Sequence, residues 1–166
     1  AGTQVVYPVT PATASVTRAG TILAWLKPDD VAQFGCVINR CENRAEGPED
    51  FGFYVRGGHL NVYFNWDPPD VAPIGSSAGA LPAGKWFLGG VTWDESALTF
   101  FIDGKKDSAI PLIKVTPQSR GSRVVLGVSV PGGPGGIEHY RGLLGSALVY
   151  NRALSESEVQ QLFRWR

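Results

Sequence analysis

Apolar and polar residues alternate through most of this chain in short runs, broken by Gly, Pro and Asp, which is the period-two signature of half-buried strands. Residues 21–26 (TILAWL) predict a strand ended by Lys27-Pro28-Asp29-Asp30, and 36–41 (CVINRC) a second, followed by a polar loop through Pro48. Further strands are predicted at 86–93 (WFLGGVTW), 98–103 (LTFFID), 123–128 (RVVLGV) and 140–150 (YRGLLGSALVY). Asp103-Gly104 marks another hairpin turn. The segments 67–85 and 131–139 are rich in Pro and Gly and predict loops.

The clearest element is a hairpin over 51–66 (FGFYVRGGHLNVYFNW), joined by Gly57-Gly58. A two-glycine loop reaches the positive φ angles of a type I′ turn, which sets the register: Arg56 faces His59, Tyr54 faces Asn61 and Gly52 faces Tyr63. Parity then divides the side chains. Phe51, Phe53, Val55, Leu60, Val62 and Phe64 form the core face, and Tyr54, Arg56, His59, Asn61, Tyr63 and Asn65 the other. The chain closes on one helix. Ser155 and Glu158 form a capping box, and Val159, Leu162 and Phe163 recur at helical spacing.

Composition narrows the function classes. The 166 residues fit one domain, 1–166, with one substantial core. Lys+Arg and Asp+Glu are both 15, so no overall field draws nucleic acid or an anionic membrane. No apolar run reaches the ~20 residues of a membrane span. The start shows neither a signal peptide nor an initiator Met, as expected of a mature or excised fragment. Cys36 and Cys41 would lie on opposite faces of one extended strand. They pair only if it bends between them; buried thiols or a local loop disulfide are both consistent with the spacing.

Several segments resemble the laminin G-like branch of the concanavalin A-like lectin/glucanase superfamily. They are AWLKP (24–28), LPAGKWFLGGVTWD (81–94), LTFFIDGK (98–105) and, most specifically, GLLGSALVYNRALSESEVQQLF (142–163). The resemblance implies an all-β, two-sheet antiparallel jelly-roll β-sandwich with one short C-terminal helix. It also implies a secreted or cell-envelope setting, as one module beside other domains of a larger protein. Relatives often begin with a strand more than is visible before Val5, and many carry acids where this chain has Gly145-Ser146. In related folds such acids help hold Ca²⁺. Asp67, Asp70, Asp94 and Glu95 remain as loop oxygens without a set geometry, so no cofactor is required and structural calcium is not predicted.

The superfamily includes glucanases, which carry a Glu-x-Asp-x-(x)-Glu strand that is not found here. Glu46, Glu49 and Asp50 read as loop residues and Asp94-Glu95 as a turn, so no strand presents the acid pair a retaining glycosidase needs. There is no GxSxG, and His59 and His139 have no nucleophile in a recognisable setting. The chain is therefore expected not to be an enzyme. Binding is easier to build: rings for sugar C–H faces and amide or guanidinium groups for hydroxyls. The expected ligand-binding residues are Tyr54, Arg56, His59, Asn61, Tyr63 and Asn65, with Trp66 ending the strand at the rim. The blander alternative is a solvated sheet face. Gly52 should leave a slot beside Tyr63, Phe101 should share the outer surface by parity, and Trp25, Trp86 and Trp93 should be core. The expected partner is a polysaccharide or glycoprotein glycan, and the second expectation is an adhesion module for a protein.

Overall fold

The computed structural model describes residues 4–41, 49–66, 74–111, 117–129 and 138–165, with the side chain of Trp66 left out. Two antiparallel sheets face each other as a jelly roll. The first, in the order β1 (Val5–Pro8), β10 (Arg123–Leu126), β3 (Phe34–Cys41), β4 (Glu49–Arg56), β5 (His59–Trp66), β6 (Gly75–Ser76), has six strands. The second has five: β11 (Gly142–Tyr150), β2 (Gly20–Pro28), β7 (Phe87–Trp93), β8 (Ala97–Ile102) and β9 (Lys105–Pro111). Two helices accompany them, α1 (Pro11–Ala14) and α2 (Glu156–Arg164).

The β4–β5 hairpin has the predicted register, with Arg56 opposite His59, Tyr54 opposite Asn61 and Gly52 opposite Tyr63. Gly57 and Gly58 sit at φ 60° and 87°, the left-handed region an L side chain rarely adopts. All six predicted core-face residues are buried between the sheets, against Ile22, Leu26, Phe87, Val91 and Trp93 of the opposing sheet. Ser155 caps α2 as expected, accepting from the Glu158 amide while Glu158 reaches back. α2 packs on the outside of the five-stranded sheet, over Leu23, Leu88 and Phe101. Phe101 thus has the expected outward parity, but the helix covers it.

Other elements differ from expectation. The strand β1 and the capped turn α1 precede the first predicted strand, and β6 interrupts the predicted 67–85 loop. β9 completes the Asp103-Gly104 hairpin. Glu49 and Asp50, expected in a loop, begin β4. Cys36 and Cys41 are buried, unpaired thiols. A bulge between Cys36 and Ile38 sends both Val37 and Ile38 into the core. That extra residue resets the alternation, so Cys36 and Cys41 both leave the core, for separate clusters on the sheet's outer side.

Candidate functional site

The outer face of the six-stranded sheet carries a layered polar assembly. Glu49 is 1% exposed, and its carboxylate accepts from the Tyr54 hydroxyl at 2.6 Å and from Asn39 Nδ2 at 2.9 Å. Asn39 also donates to the Val128 carbonyl at 3.1 Å, tying β3 to the segment just after β10. Phe34, Tyr54 and Tyr63 pack around this group in tilted and edge-to-face contacts, with ring centroids 5.2 to 6.3 Å apart. The Arg56 guanidinium lies 4.5 Å over the Phe34 ring and donates to the Tyr63 hydroxyl at 2.5 Å. Glu138 closes one side: its carbonyl accepts from Cys36 and its amide donates to Ser129 Oγ.

The electrostatics follow from burial. Desolvation pushes the Glu138 carboxyl up to about 7, against the opposing pull of Ser129 and Arg56. Burial raises the Tyr54 hydroxyl and the Cys36 thiol well above their ordinary ranges, and the nearby Glu49 charge adds to both shifts. Tyr63 is raised less, because Arg56 stabilises its ionised form. Burial raises the Cys41 thiol as well, so both cysteines are neutral thiols at neutral pH.

These positions correct the expected contact surface. Tyr54, Asn61 and Tyr63 are 0%, 4% and 2% exposed, so in this conformation they support the face rather than meet a ligand. The Asn61 amide is spent on the Arg56 and His59 carbonyls and on Ser76. The expected slot at Gly52 is filled: a Cβ there would lie 2.4 Å from the Tyr54 ring and 2.6 Å from Glu49. Asn65, at φ 53°, accepts from the Gln118 amide and ties β5 to the segment before β10. The Trp66 side chain lies outside the described residues. Arg56 and His59, directly opposite each other, are half-buried and reach the surface, as does Asn65, and Phe34 of β3 lies opposite Arg56 on its other side. His59 Nδ1 is buried and has no hydrogen-bond partner among the described residues.

A second feature escaped the sequence pattern. Trp93 is core, donating to the Thr17 carbonyl, but Trp86 is 47% exposed. Trp86 precedes β7 and points outward with Leu88, two residues on. Together with half-buried Trp25, Gly145 and Ser146 it lines an open cleft of about 390 Å³. Apolar runs hid this, because a strand flanked by two covered faces looks the same as one with a covered and an open end. The signal available was Gly145-Ser146, where one side chain is missing and the next is small.

No helix among the described residues is long and apolar enough to cross a membrane. Among them, no group of three or more His, Cys, Asp or Glu converges as metal ligands. A search of curated proteins by sequence finds no match. Solved structures do match in fold. A heptameric SAP-like pentraxin from Limulus polyphemus is 18% identical with a TM-score of 0.64, over 89% of this chain and 70% of that one. Domain 4 of AbnA, an extracellular GH43 arabinanase from Geobacillus stearothermophilus solved with arabinotriose, is 15% identical with a TM-score of 0.65, over 89% and 68%. Trypanosoma rangeli sialidase is 16% identical with a TM-score of 0.63; 98% of this chain matches only 26% of that one. At these identities the likeness concerns the fold. A family model for the concanavalin A-like lectin/glucanases superfamily matches residues 2–160, and the chain belongs to that family, in its laminin G-like branch.

Proposed function

We propose that this chain, residues 1–166 taken as one domain, is a non-catalytic carbohydrate-recognition module that attaches a larger extracytoplasmic protein to a polysaccharide or glycoprotein glycan. The observation that carries the reading is the fixed Arg56–Phe34–His59 surface. A planar guanidinium is locked over a ring at 4.5 Å, directly across the ladder from the half-buried His59 imidazole. Arginine offers a rigid fork of donors to sugar hydroxyls or carboxylates, and prepositioning lowers the ordering cost of binding. The arabinotriose complex of the arabinanase domain, and the sialic acid complex of the sialidase, make sugars a chemically apt ligand class to test.

The carboxylates near this surface favour binding over hydrolysis. Glycoside hydrolysis needs two carboxyl groups flanking an accessible bond. Glu49 and Glu138 are 1% and 9% exposed, and Glu49 is held by Tyr54 and Asn39. Neither offers an oxygen to a substrate from that position. No cofactor is required by this reading, and no role is assigned to calcium.

A glycan array probed with the intact chain tests the proposal, with Arg56→Ala and His59→Ala beside it. Specific binding that both substitutions weaken supports it; signal on no glycan class overturns it. One observation favours a second reading, a module docked to a protein: Val5, Val6 and Tyr7 on the edge strand β1 are 43%, 47% and 55% exposed. An apolar sheet edge is a template for another chain.

A further inference from the structure

The Trp25–Trp86 cleft lies on the sheet opposite the hairpin surface, and its construction is specific. Trp25 is backed by Phe163 from the last turn of α2, ring centroids 5.7 Å apart and planes within 24°, so its indole is held from one side. Opposite Trp25 the edge strand β11 carries a bulge: Leu144 pairs with Leu26 and Ala147 with Ala24, leaving Gly145 and Ser146 together against a single residue. A bulge leaves backbone groups out of the ladder and re-aims the strand. Gly145 is what opens the cleft, because a Cβ there would lie 2.9 Å from the Cβ of Trp25 and 3.5 Å from the Trp86 ring.

The described residues that line the cleft carry no charge, and Gly145 and Ser146 are exposed beside the two indoles. An uncharged cleft gains nothing from a charged ligand and strips its hydration. The volume, about 390 Å³, is that of a small-molecule site rather than a helix groove. Flat indole faces beside the Ser146 hydroxyl and the bulged backbone match one chemistry: a ring with apolar C–H faces and hydroxyl edges.

We propose that the Trp25–Trp86 cleft is a second carbohydrate subsite, taking one uncharged pyranose ring of a glycan chain against Trp86, with Ser146 and the bulged backbone meeting its hydroxyls. This rests on the glycan-recognition reading above and adds to it a subsite of different ligand chemistry. A protein side chain is the competing occupant, and the test separates the two.

The experiment is native electrophoresis of the intact chain through gels containing xylan, mannan or mixed-linkage β-glucan as neutral pyranose probes, and pectate as a charged one. Wild type, Trp86→Ala, Trp86→Phe and Arg56→Ala are run together, with melting temperatures as fold controls. The proposal expects retardation in at least one neutral gel, weakened roughly tenfold or more by Trp86→Ala. Trp86→Phe, which keeps a stacking face, retains most of it. If Trp86→Ala is retarded like wild type while Arg56→Ala is not, the subsite is wrong and the hairpin surface stands. If no gel retards the wild type, both fall. A Trp86→Ala chain that changes its oligomeric state but not its retardation assigns the cleft to protein docking and overturns the subsite.

Discussion

A carboxylate sealed from water persists only when its oxygens are paired, and Glu49 shows how this chain arranges it. The Tyr54 hydroxyl and the Asn39 amide donate to its two oxygens inside a face that is otherwise aromatic. Tyr54→Phe leaves the ring and removes one donor to a buried charge, so urea denaturation should show a loss of about 1.5–3 kcal/mol. Tyr54→Ala, by contrast, would also open a cavity and cannot serve as a clean binding mutant. Glu138 makes the opposite statement, since its carboxyl titrates at about 7 instead of the ordinary 4.5. The native state then holds a proton that the unfolded chain has released, so stability falls as pH rises from 4.5 to about 7 and levels off above it. Melting temperatures across that window should slope downward, and Glu138→Gln should flatten the slope. A wild-type melting temperature that is unchanged over the window would contradict the assignment.

Elements were legible where a local rule acts alone. The Gly57-Gly58 turn needs only two neighbouring residues to set its register, and the capping box of α2 needs four, so both were readable. Gly58→Val should cost roughly 1 kcal/mol or more, because a β-branched residue resists φ 87°. Ser155→Ala should cost about 1 kcal/mol through the lost cap, measured as a lowered urea midpoint at unchanged slope. What could not be read depends on long-range contact. Parity placed Tyr54 and Tyr63 correctly on the second face, but whether that face meets water is decided by Phe34 and Glu138, distant in sequence, with Arg56 of the hairpin itself folded over Phe34. Likewise the bulge after Cys36 has no local marker, and without it the two cysteines appear on opposite faces. Trp86 and Trp93 stand in one apolar run, yet one is 47% exposed and the other fully buried. Trp93 points between the sheets with Phe87 and Val91, whereas Trp86 has the outward parity of Leu88, and parity does not say which outward positions α2 covers.

At the scale of the whole molecule, one end of the sandwich is closed by charge. Arg40 and Asp50 are fully buried with Nε to Oδ2 at 2.9 Å, and the Arg40 guanidinium also donates to the carbonyls of Thr13 and Gln118. Asp50 accepts from the amides of Arg120 and Gly121. One pair therefore ties α1, β3, β4 and the segment before β10, elements that share no local sequence. Asp50→Ala leaves a buried guanidinium without its counter-charge and should cost about 3–5 kcal/mol, enough to threaten folding of a domain this size. With that frame rigid, both candidate sugar surfaces are presented on opposite sides of a fixed sandwich rather than on loops. The most direct measurement is calorimetric titration of the intact chain with its best array glycan, followed by chromatography of the recovered glycan. Recognition without catalysis predicts saturable heat and a glycan returned at its original length. An absence of heat with every glycan class, or a glycan returned shortened, would contradict it.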